Sequence, residues 1–557
     1  MFVVVKKSKT SKRELVYIVE SYRDEDNKIR QRIIKKCGEL SELTAKDPDA
    51  LDKIKEEAKN MTAELATRMV DLNINLNLPN RKSMDTVNYG YFFVESLYRS
   101  LKMRPFLDRH FEDPAEAKQI AEALRFYAIK EFFLPLTGTE SIDSIKPIFG
   151  FKGNTASLSI DIVAKLLPIA DDLMKHLYKV STKDEDCRDK VASLDVTSYY
   201  FNSHATSGAR DDRTDDEAMK DLVMVQMGIL YDRHRNPMAC IVIPEGDNDS
   251  VELLASMERL KKKFGLDRIV LTSDRGFGSN STLAAIHESG NGYVVGRKVK
   301  NASLPMQRAI LDNNGYKWND SGTFKWKAFD LERTVGDTAI PEKVIAMWTS
   351  FNAARTKQKR DKFIVDFLSN PGNYSVEEFP EMERYVSVHD SDAAPGTPGE
   401  HGYFSFDAET YARDMALDGY YALATTEKDI PEGVIIKRYH NLQKMHRAFS
   451  EPDPEVEGAP REAWTYDYVR SYFIINFISL VMERKLERML GFKYTSNQMK
   501  TTLSNALCKN IGQDVYDFAP QEDAYRDIEK AFGVRFDKAF ATLEMLRRYR
   551  REVINAL

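Results

Sequence analysis

The chain has 557 residues, of which 42% are hydrophobic and 30% charged, a composition that excludes a disordered protein and predicts about three or four globular domains. Its formal net charge of −5 gives no bulk attraction for nucleic acid, so any affinity for DNA must come from local basic surfaces. The four cysteines lie far apart and have neither disulfide nor zinc-ligand spacing, which favours a reducing, cytoplasmic setting.

Membrane association is not expected. The longest apolar run, 472–482, is interrupted by Asn476 and Ser479 and is too short to span a bilayer. The opening MFVVVKKSK places its lysines after a very short apolar run, which is not the order of a signal peptide.

Residues 1–40 are predicted to form a small basic β unit with strands at 2–5, 15–19 and 29–34. Its lysines and arginines fit contact with a phosphate backbone and equally fit a solvated, charged sheet face. A helical region follows to residue 185, because apolar residues recur at helical spacing in four stretches. These stretches are 51–72, 87–101, 115–133 and 158–178.

Two acids interrupt strand-like segments in the middle of the chain. Asp195 stands among the strand formers of 194–201, where burying a carboxylate is costly without a partner or a cation. Asp274 follows the short apolar strand 269–271. In open α/β sheets, binding and catalytic residues lie at the carboxyl ends of the strands. An SDRG segment is also typical of a turn aspartate that caps the next helix.

The segments between the two acids predict a defined order of elements. Strands are expected at 222–232 and 237–246, joined by a polar turn at 233–236, and a helix is expected from about residue 249. The order is strand with Asp, two strands, helix, strand with Asp.

This order, carried by LDVTSYYF and LTSDRGFG, resembles the core of the DDE transposases, in particular the IS4 superfamily and its IS1634 branch. VIPEGDNDS, GYVVGRK and DGYYALATTEKD add to the likeness, which runs from the basic amino terminus to the helix near Met482. The resemblance implies an α/β fold with a ribonuclease-H-like mixed-sheet catalytic core, a helical N-terminal region and a β-rich insertion.

In that family a third acid, a Glu, lies on a helix in the pattern Y-(2)-R-(3)-E-(6)-K. Tyr439 matches the first position, and counting forward puts Leu442, His446 and Asp453 at the other three. This departure matters because two divalent ions held about 4 Å apart need several anionic oxygens, which an imidazole does not supply.

Other residues are therefore candidates for the third ligand. Glu451 is the nearest substitute, provided that the helix ends before it, as Pro452 and Pro454 suggest. Glu455, Glu457 and Glu462 are further candidates. His446 is either a metal ligand itself or a histidine left where the catalytic Glu has been lost.

After residue 300 the pattern favours a hairpin with alternating aromatics on either side of a turn at 319–322. Trp318 and Trp326 fit stacking on an unpaired base, although core packing is the better interpretation. The resemblance and the local charge together suggest a set of DNA contacts: Arg275, Arg297, Lys298, Lys300, Trp318, Trp326 and Tyr439.

The predicted organisation has six segments: a basic β-rich unit (1–40), a helical region for DNA-end binding (41–185), the first part of the catalytic core (186–300), a β-rich insertion (301–420), the last core strand and helices (421–500) and a helical C-terminal tail (501–557).

The resemblance implies a transposase that cleaves DNA and transfers strands at the inverted-repeat ends of an insertion sequence. Asp195 and Asp274 would hold two Mg²⁺ or Mn²⁺ ions, with Glu451 or the residue at 446 completing the site. Double-stranded DNA, a homodimer or larger assembly, and a location in the bacterial cytoplasm at the nucleoid are expected. Two alternatives stay open, a catalytically silent DNA-binding descendant and a metal-dependent nuclease that cuts without joining.

Overall fold

A computed structural model describes residues 2–7, 13–23, 29–68, 86–133, 148–149, 161–183, 189–202, 222–244, 249–273, 279–369, 384–389, 403–448, 466–512 and 514–557. The chain divides into two compact units. The first contains Met1–Val87, Ala506–Gln521 and Phe536–Glu552, and the second contains Asn88–Asn505, Glu522–Arg535 and Val553–Leu557.

The strands are β1 Phe2–Lys7, β2 Glu14–Arg23, β3 Ile29–Glu39, β4 Thr86–Asn88, β5 Val191–Asn202, β6 Leu222–Tyr231, β7 Pro237–Pro244, β8 Arg268–Ser273, β9 Gly292–Arg297, β10 Lys317–Trp318, β11 Phe324–Val335, β12 Thr338–Thr349, β13 Val386–His389, β14 Tyr403–Phe406, β15 Tyr420–Thr425, β16 Leu507–Gly512, β17 Val515–Phe518 and β18 Phe540–Thr542.

The helices are α1 Leu40–Lys46, α2 Ala50–Arg68, α3 Tyr91–Ser100, α4 Met103–His110, α5 Pro114–Phe133, α6 Asp161–Ala164, α7 Ala170–Ser181, α8 Asp249–Phe264, α9 Asn280–Glu288, α10 Leu304–Leu311, α11 Ser350–Ser369, α12 Ala408–Ala416, α13 Glu432–Ala448, α14 Tyr466–Met489, α15 Ser496–Ser504, α16 Asp523–Ala531 and α17 Leu543–Ile554. Within the described parts of the chain, every helix is too short or too polar to cross a bilayer.

In the first unit, β1, β2 and β3 form an antiparallel sheet in that order, as the amino-terminal sequence predicts. The carboxyl-terminal part of this unit holds the neighbouring strands β16, β17 and β18. The tail after residue 500 is thus not helical throughout. Its strands are three to six residues long, too short for their alternation to be read from the sequence.

A nine-stranded sheet forms the centre of the second unit, in the order β10-β11-β12-β15-β9-β8-β5-β6-β7. β5, β8 and β9 run parallel, while β6, β7 and the four strands from the 301–425 segment pair antiparallel with their neighbours. The predicted strands, turn and helix between Asp195 and residue 273 are confirmed as β5 to β8. The insertion's strands β10, β11 and β12 extend this same sheet, whereas its strands β13 and β14 form a separate two-stranded sheet.

Helices cover the face of the sheet that contains Asp195. α13 packs Ile435, Ile436 and Tyr439 against Val270 of β8 and Val294 of β9, which lie on this face. α14 lies over β7, where the Tyr466 hydroxyl donates to the Val242 carbonyl at 2.7 Å. The apolar segment 472–482 lies in the middle of α14, where nearly all of its residues are buried.

Two helix boundaries differ from the sequence prediction. Val87 lies in β4 and not in a helix, and α3 begins only at Tyr91. The predicted helix through 158–178 is broken into α6 and α7 by a short 3₁₀ turn containing Pro168. Proline lacks the amide hydrogen that a continuous α-helix needs, so the break follows from its position.

Candidate active site

Asp195 lies in the middle of β5 and is completely buried. Its Oδ2 accepts a hydrogen bond from Arg235 Nη1 at 2.7 Å, whereas Oδ1 has no hydrogen-bond partner among the described residues. In the parallel register Asp195 pairs with Thr272 of β8, whose buried Oγ1 also lacks a described partner. Within the described part of the chain, two buried polar oxygens on neighbouring strands thus lack a hydrogen-bond partner, which calls for an explanation in a folded interior.

Arg235, the partner of Asp195, comes from the turn between β6 and β7. Its guanidinium lies 4.0 Å from the centroid of the Tyr231 ring. Burial alone lowers the pKa of Arg235, but the nearby Asp195 and Tyr231 outweigh it and raise the pKa above its ordinary value. Arg235 therefore stays charged, and the buried carboxylate has a permanent counter-ion.

The backbone of this turn is held from several sides. Asp232 accepts from the Asn236 amide nitrogen at 2.7 Å and from the Tyr178 hydroxyl at 3.0 Å. From α14, Arg488 donates to the Asn236 side chain at 2.7 Å and Arg484 donates to the His234 carbonyl at 2.5 Å.

Within this held turn, Arg235 adopts φ of 65°, in the left-handed region that favours glycine and asparagine. A non-glycine residue there costs about 1–3 kcal/mol and persists only where its surroundings fix it. The contacts from α7 and α14 supply that fixation.

The second predicted acid follows directly on a described strand. β8 ends at Ser273, which pairs with Val196, and Asp274 and Arg275 come next but lie outside the described residues. Asp274 comes two positions after Thr272, the register partner of Asp195, in the sequence. Glu451 also lies outside the described residues.

α13 contains Tyr439 and His446, two positions of the family pattern. Tyr439 is 9% exposed and lies in the core cluster with Val270 and Val294, on the Asp195 face. The backbone of His446 belongs to α13, but its side chain lies outside the described residues. Tyr439 is thus an anchor that packs α13 on the sheet, and its predicted contact with DNA stays a prediction.

Asp195 is the one predicted metal ligand whose side chain the structure describes. Asp195 offers a carboxylate oxygen, the donor type that Mg²⁺ prefers, and that oxygen has no described protein donor. Among the described residues no three His, Cys, Asp or Glu side chains are close enough to hold a metal. Asp195 thus fits the role of one ligand, whereas the side chains of the other predicted ligands, Asp274, Glu451 and His446, lie outside the described residues.

The predicted aromatic hairpin is confirmed, with Lys317 paired to Trp326 and Trp318 paired to Lys325. Its two tryptophans have different surroundings. Trp318 is 53% exposed, whereas Trp326 stacks on Phe324 at 5.4 Å and packs against the core cluster under α13. Only Trp318 is placed to meet a ligand from solvent.

Three basic residues at the end of β9 and just after it, Arg297, Lys298 and Lys300, differ in their surroundings. Burial, together with the nearby Arg333, lowers the pKa of the half-buried Arg297. Lys300 lies 3.7 Å from Asp418, and Lys298 is exposed. Lys298 is therefore the most accessible of the three for an anionic partner.

Two residues that the sequence did not single out belong to this site, Arg235 and Thr272. The cost of burying Asp195 signals that a partner must exist, but nothing in the sequence indicates which of many arginines supplies it.

Residues 3–68 match the family model described as IS1634 family transposase, N-terminal domain. This match includes the β1–β3 sheet and both helices that follow it. No curated protein matches the chain. The matched segment supports an IS1634-like transposase.

Proposed function

We propose that the chain is a DDE-type transposase of the IS4 superfamily that cleaves DNA at the inverted-repeat ends of an insertion sequence and joins the ends to target DNA. The observation that carries the proposal is the register of two parallel strands. Asp195 on β5 pairs with Thr272 on β8, and Asp274 follows within two residues. Asp195 thus lies on a strand that is adjacent and parallel to β8, and Asp274 directly follows β8 in the sequence.

The strand order supports a ribonuclease-H-like core. The five strands β7-β6-β5-β8-β9 combine an antiparallel meander, β5 to β7, with the parallel strands β5, β8 and β9. α8 connects the meander to β8, and α13 packs on the face that contains Asp195. This is the order of elements that the resemblance implies for a catalytic core of this class.

In the proposed mechanism the chain's own residues hold and orient the reacting groups. Asp195 Oδ1 and the Asp274 carboxylate would ligate two Mg²⁺ or Mn²⁺ ions, with Glu451 or His446 as the candidate third ligand. The bound ions would activate water or a DNA 3′-hydroxyl and stabilise the leaving oxygen. Arg275, Lys298 and Lys300 would contact phosphates near the cleaved bond.

Recognition of DNA would use surfaces outside these acids. The family match at residues 3–68 and the basic β1–β3 sheet support an N-terminal contact with double-stranded DNA. Trp318 is exposed on the hairpin and suits stacking on an unpaired base at a cleaved end. Arg297, Trp326 and Tyr439 are proposed as further contacts with DNA. A homodimer or larger assembly would pair the two ends of the element, in the bacterial cytoplasm at the nucleoid.

One observation favours a second candidate, a catalytically silent protein that binds the same DNA. His446 stands at the position of the family's Glu, so one anionic ligand is missing from its expected place. A repressor of transposition or a co-opted DNA-binding protein would keep the binding surfaces without the chemistry.

The test is an assay of binding, nicking and joining on one labelled duplex that carries the sequences flanking the gene, with Mg²⁺ or Mn²⁺. We expect metal-dependent products from the wild type and none from Asp274→Ala. Comparison of Glu451→Ala with His446→Ala identifies the third ligand. Specific binding with no product in either metal contradicts the proposed transposase and favours the silent protein. Nicking without joining favours a nuclease.

A further inference from the structure

The guanidinium of Arg235 lies against the proposed metal ligand Asp195, and the predicted mechanism gives it no role. We propose that Arg235 is a positioning residue of the active site. It holds Oδ2 of Asp195 and leaves Oδ1 available to a divalent cation. This inference rests on the proposed function, in which Asp195 is a metal ligand.

The direction from which Arg235 approaches supports this role. Tyr231 pairs with Ser193, near the start of β5, so the β6–β7 turn lies at the amino-terminal end of that strand. Asp274 follows the carboxyl-terminal end of the parallel strand β8. Arg235 therefore approaches Asp195 from the amino-terminal end of β5, the end opposite to the one at which the parallel strand β8 finishes.

The position of Arg235 is fixed by contacts within the protein. Its guanidinium lies 4.0 Å from the centroid of the Tyr231 ring. Tyr231 pairs with Ser193, which is two residues before Asp195, so Tyr231 and Asp195 lie on the same face of the sheet. The turn that carries it is held by Asp232, Tyr178, Arg484 and Arg488. A side chain fixed at its base and along its length restricts the rotamer of the carboxylate that it binds.

The chemistry of arginine suits a residue that orients a buried carboxylate. A buried carboxylate without a partner is costly, and a guanidinium cannot lose its proton in a protein. Its planar shape stacks on the aromatic ring while an N–H donates to Oδ2, which a lysine ammonium does only in part. The contact with Arg235 thus holds Asp195 in one orientation, with Oδ1 directed away from the hydrogen-bonded oxygen Oδ2.

The experiment compares variants of the full-length chain. Mn²⁺ binding is measured without DNA from the loss of the free-ion electron paramagnetic resonance signal, and nicking of flanking-sequence DNA supplies kcat and KM. For Arg235→Gln we expect Mn²⁺ affinity about tenfold weaker or more and a similar fall in kcat, with KM for DNA unchanged. Arg235→Lys keeps a charged donor, so we expect it to recover part of both losses.

Arg233→Gln is the matched control, because Arg233 lies in the same turn but pairs with Asp189 at 3.3 Å and is half exposed. It is expected to bind Mn²⁺ and nick DNA as the wild type does. Thermal melting shows which variants are folded. If Arg235→Gln does not fold, the comparison of Arg235→Lys with the wild type decides.

Unchanged or tighter Mn²⁺ binding in a folded Arg235 variant overturns the inference, since a positioning residue must weaken binding when it is lost. A different result refutes the proposed function itself. If Asp195→Asn binds Mn²⁺ as the wild type does, Asp195 is not a metal ligand. Because this variant keeps Arg235, the result is distinct from a failure of the inference about Arg235.

Discussion

The two halves of the nine-stranded sheet each contain a buried carboxylate that binds an arginine, but the two pairs have different surroundings. In the half formed by the insertion, Glu342 of β12 accepts from Arg333 Nε at 2.8 Å and from the Tyr293 hydroxyl at 2.7 Å on the same oxygen. Its other oxygen has no described partner, as is also true of Asp195. Burial and an unpaired oxygen therefore do not by themselves identify a catalytic acid.

What separates the two acids is their place on the sheet. Register pairs lead from Asp195 through Thr272, Val294 and Thr425 to Lys343, so Glu342, one residue before Lys343, is on the opposite face. The Arg333 side chain is only 4% exposed, against 27% for Arg235. The Glu342 pair joins strands in the interior, whereas the Asp195 pair lies next to a strand that leads directly to a second acid.

The largest expected difference between the two acids is in catalysis. Asp195→Asn should reduce metal-dependent nicking by on the order of 1000-fold or more, because it removes a proposed metal ligand. Glu342→Gln should leave kcat within about threefold of wild type in the folded fraction. Both are measured with Mg²⁺ on the labelled flanking duplex. Equal losses in the two variants would break the distinction between them.

The Glu342 pair is expected to matter for the stability of the fold. Glu342→Gln leaves Arg333 charged and buried, so the free energy of unfolding should fall by about 3–5 kcal/mol, measured by urea denaturation. Replacing both partners, in Arg333→Met with Glu342→Leu, should recover most of that loss because no charge remains unpaired. A double variant no more stable than the single one would show that the pair does not act as a unit.

A smaller effect is expected at the hairpin of the insertion. Trp326→Ala should lower the free energy of unfolding by about 2–3 kcal/mol, since it removes a ring packed on the core cluster under α13. Trp318→Ala should cost about 1 kcal/mol or less, because that ring is 53% exposed. If Trp318 contacts DNA, only its variant should weaken binding to cleaved ends without a matching loss of stability, as read by fluorescence anisotropy.

Local patterns predicted much of the core. The polar turn at 233–236, the helix from residue 249 and the strand before Asp274 appear as predicted, because each is bounded by turn or capping residues and has a clear apolar period. The aromatic hairpin at 317–326 is confirmed for the same reason. These elements depend on neighbours within a few residues, which the sequence shows directly.

Long-range pairing could not be predicted in the same way. The antiparallel contact of β15 with β9 joins segments more than a hundred residues apart and makes the insertion part of the central sheet. The hydrogen bond from Arg235 to Asp195 spans forty residues and depends on the left-handed turn at Arg235. The sequence shows that Asp195 needs a partner, and only the folded chain shows which residue provides it.

Joining of DNA ends by the intact protein tests the central claim most directly. Flanking-sequence ends with free 3′-hydroxyls are mixed with a supercoiled plasmid and Mg²⁺ or Mn²⁺, and covalent insertion is scored by linearised or tagged plasmid. The account predicts insertion by the wild type and none by Asp195→Asn or Asp274→Asn that still bind the ends. Specific binding of the ends by the wild type with no insertion in either metal would contradict it.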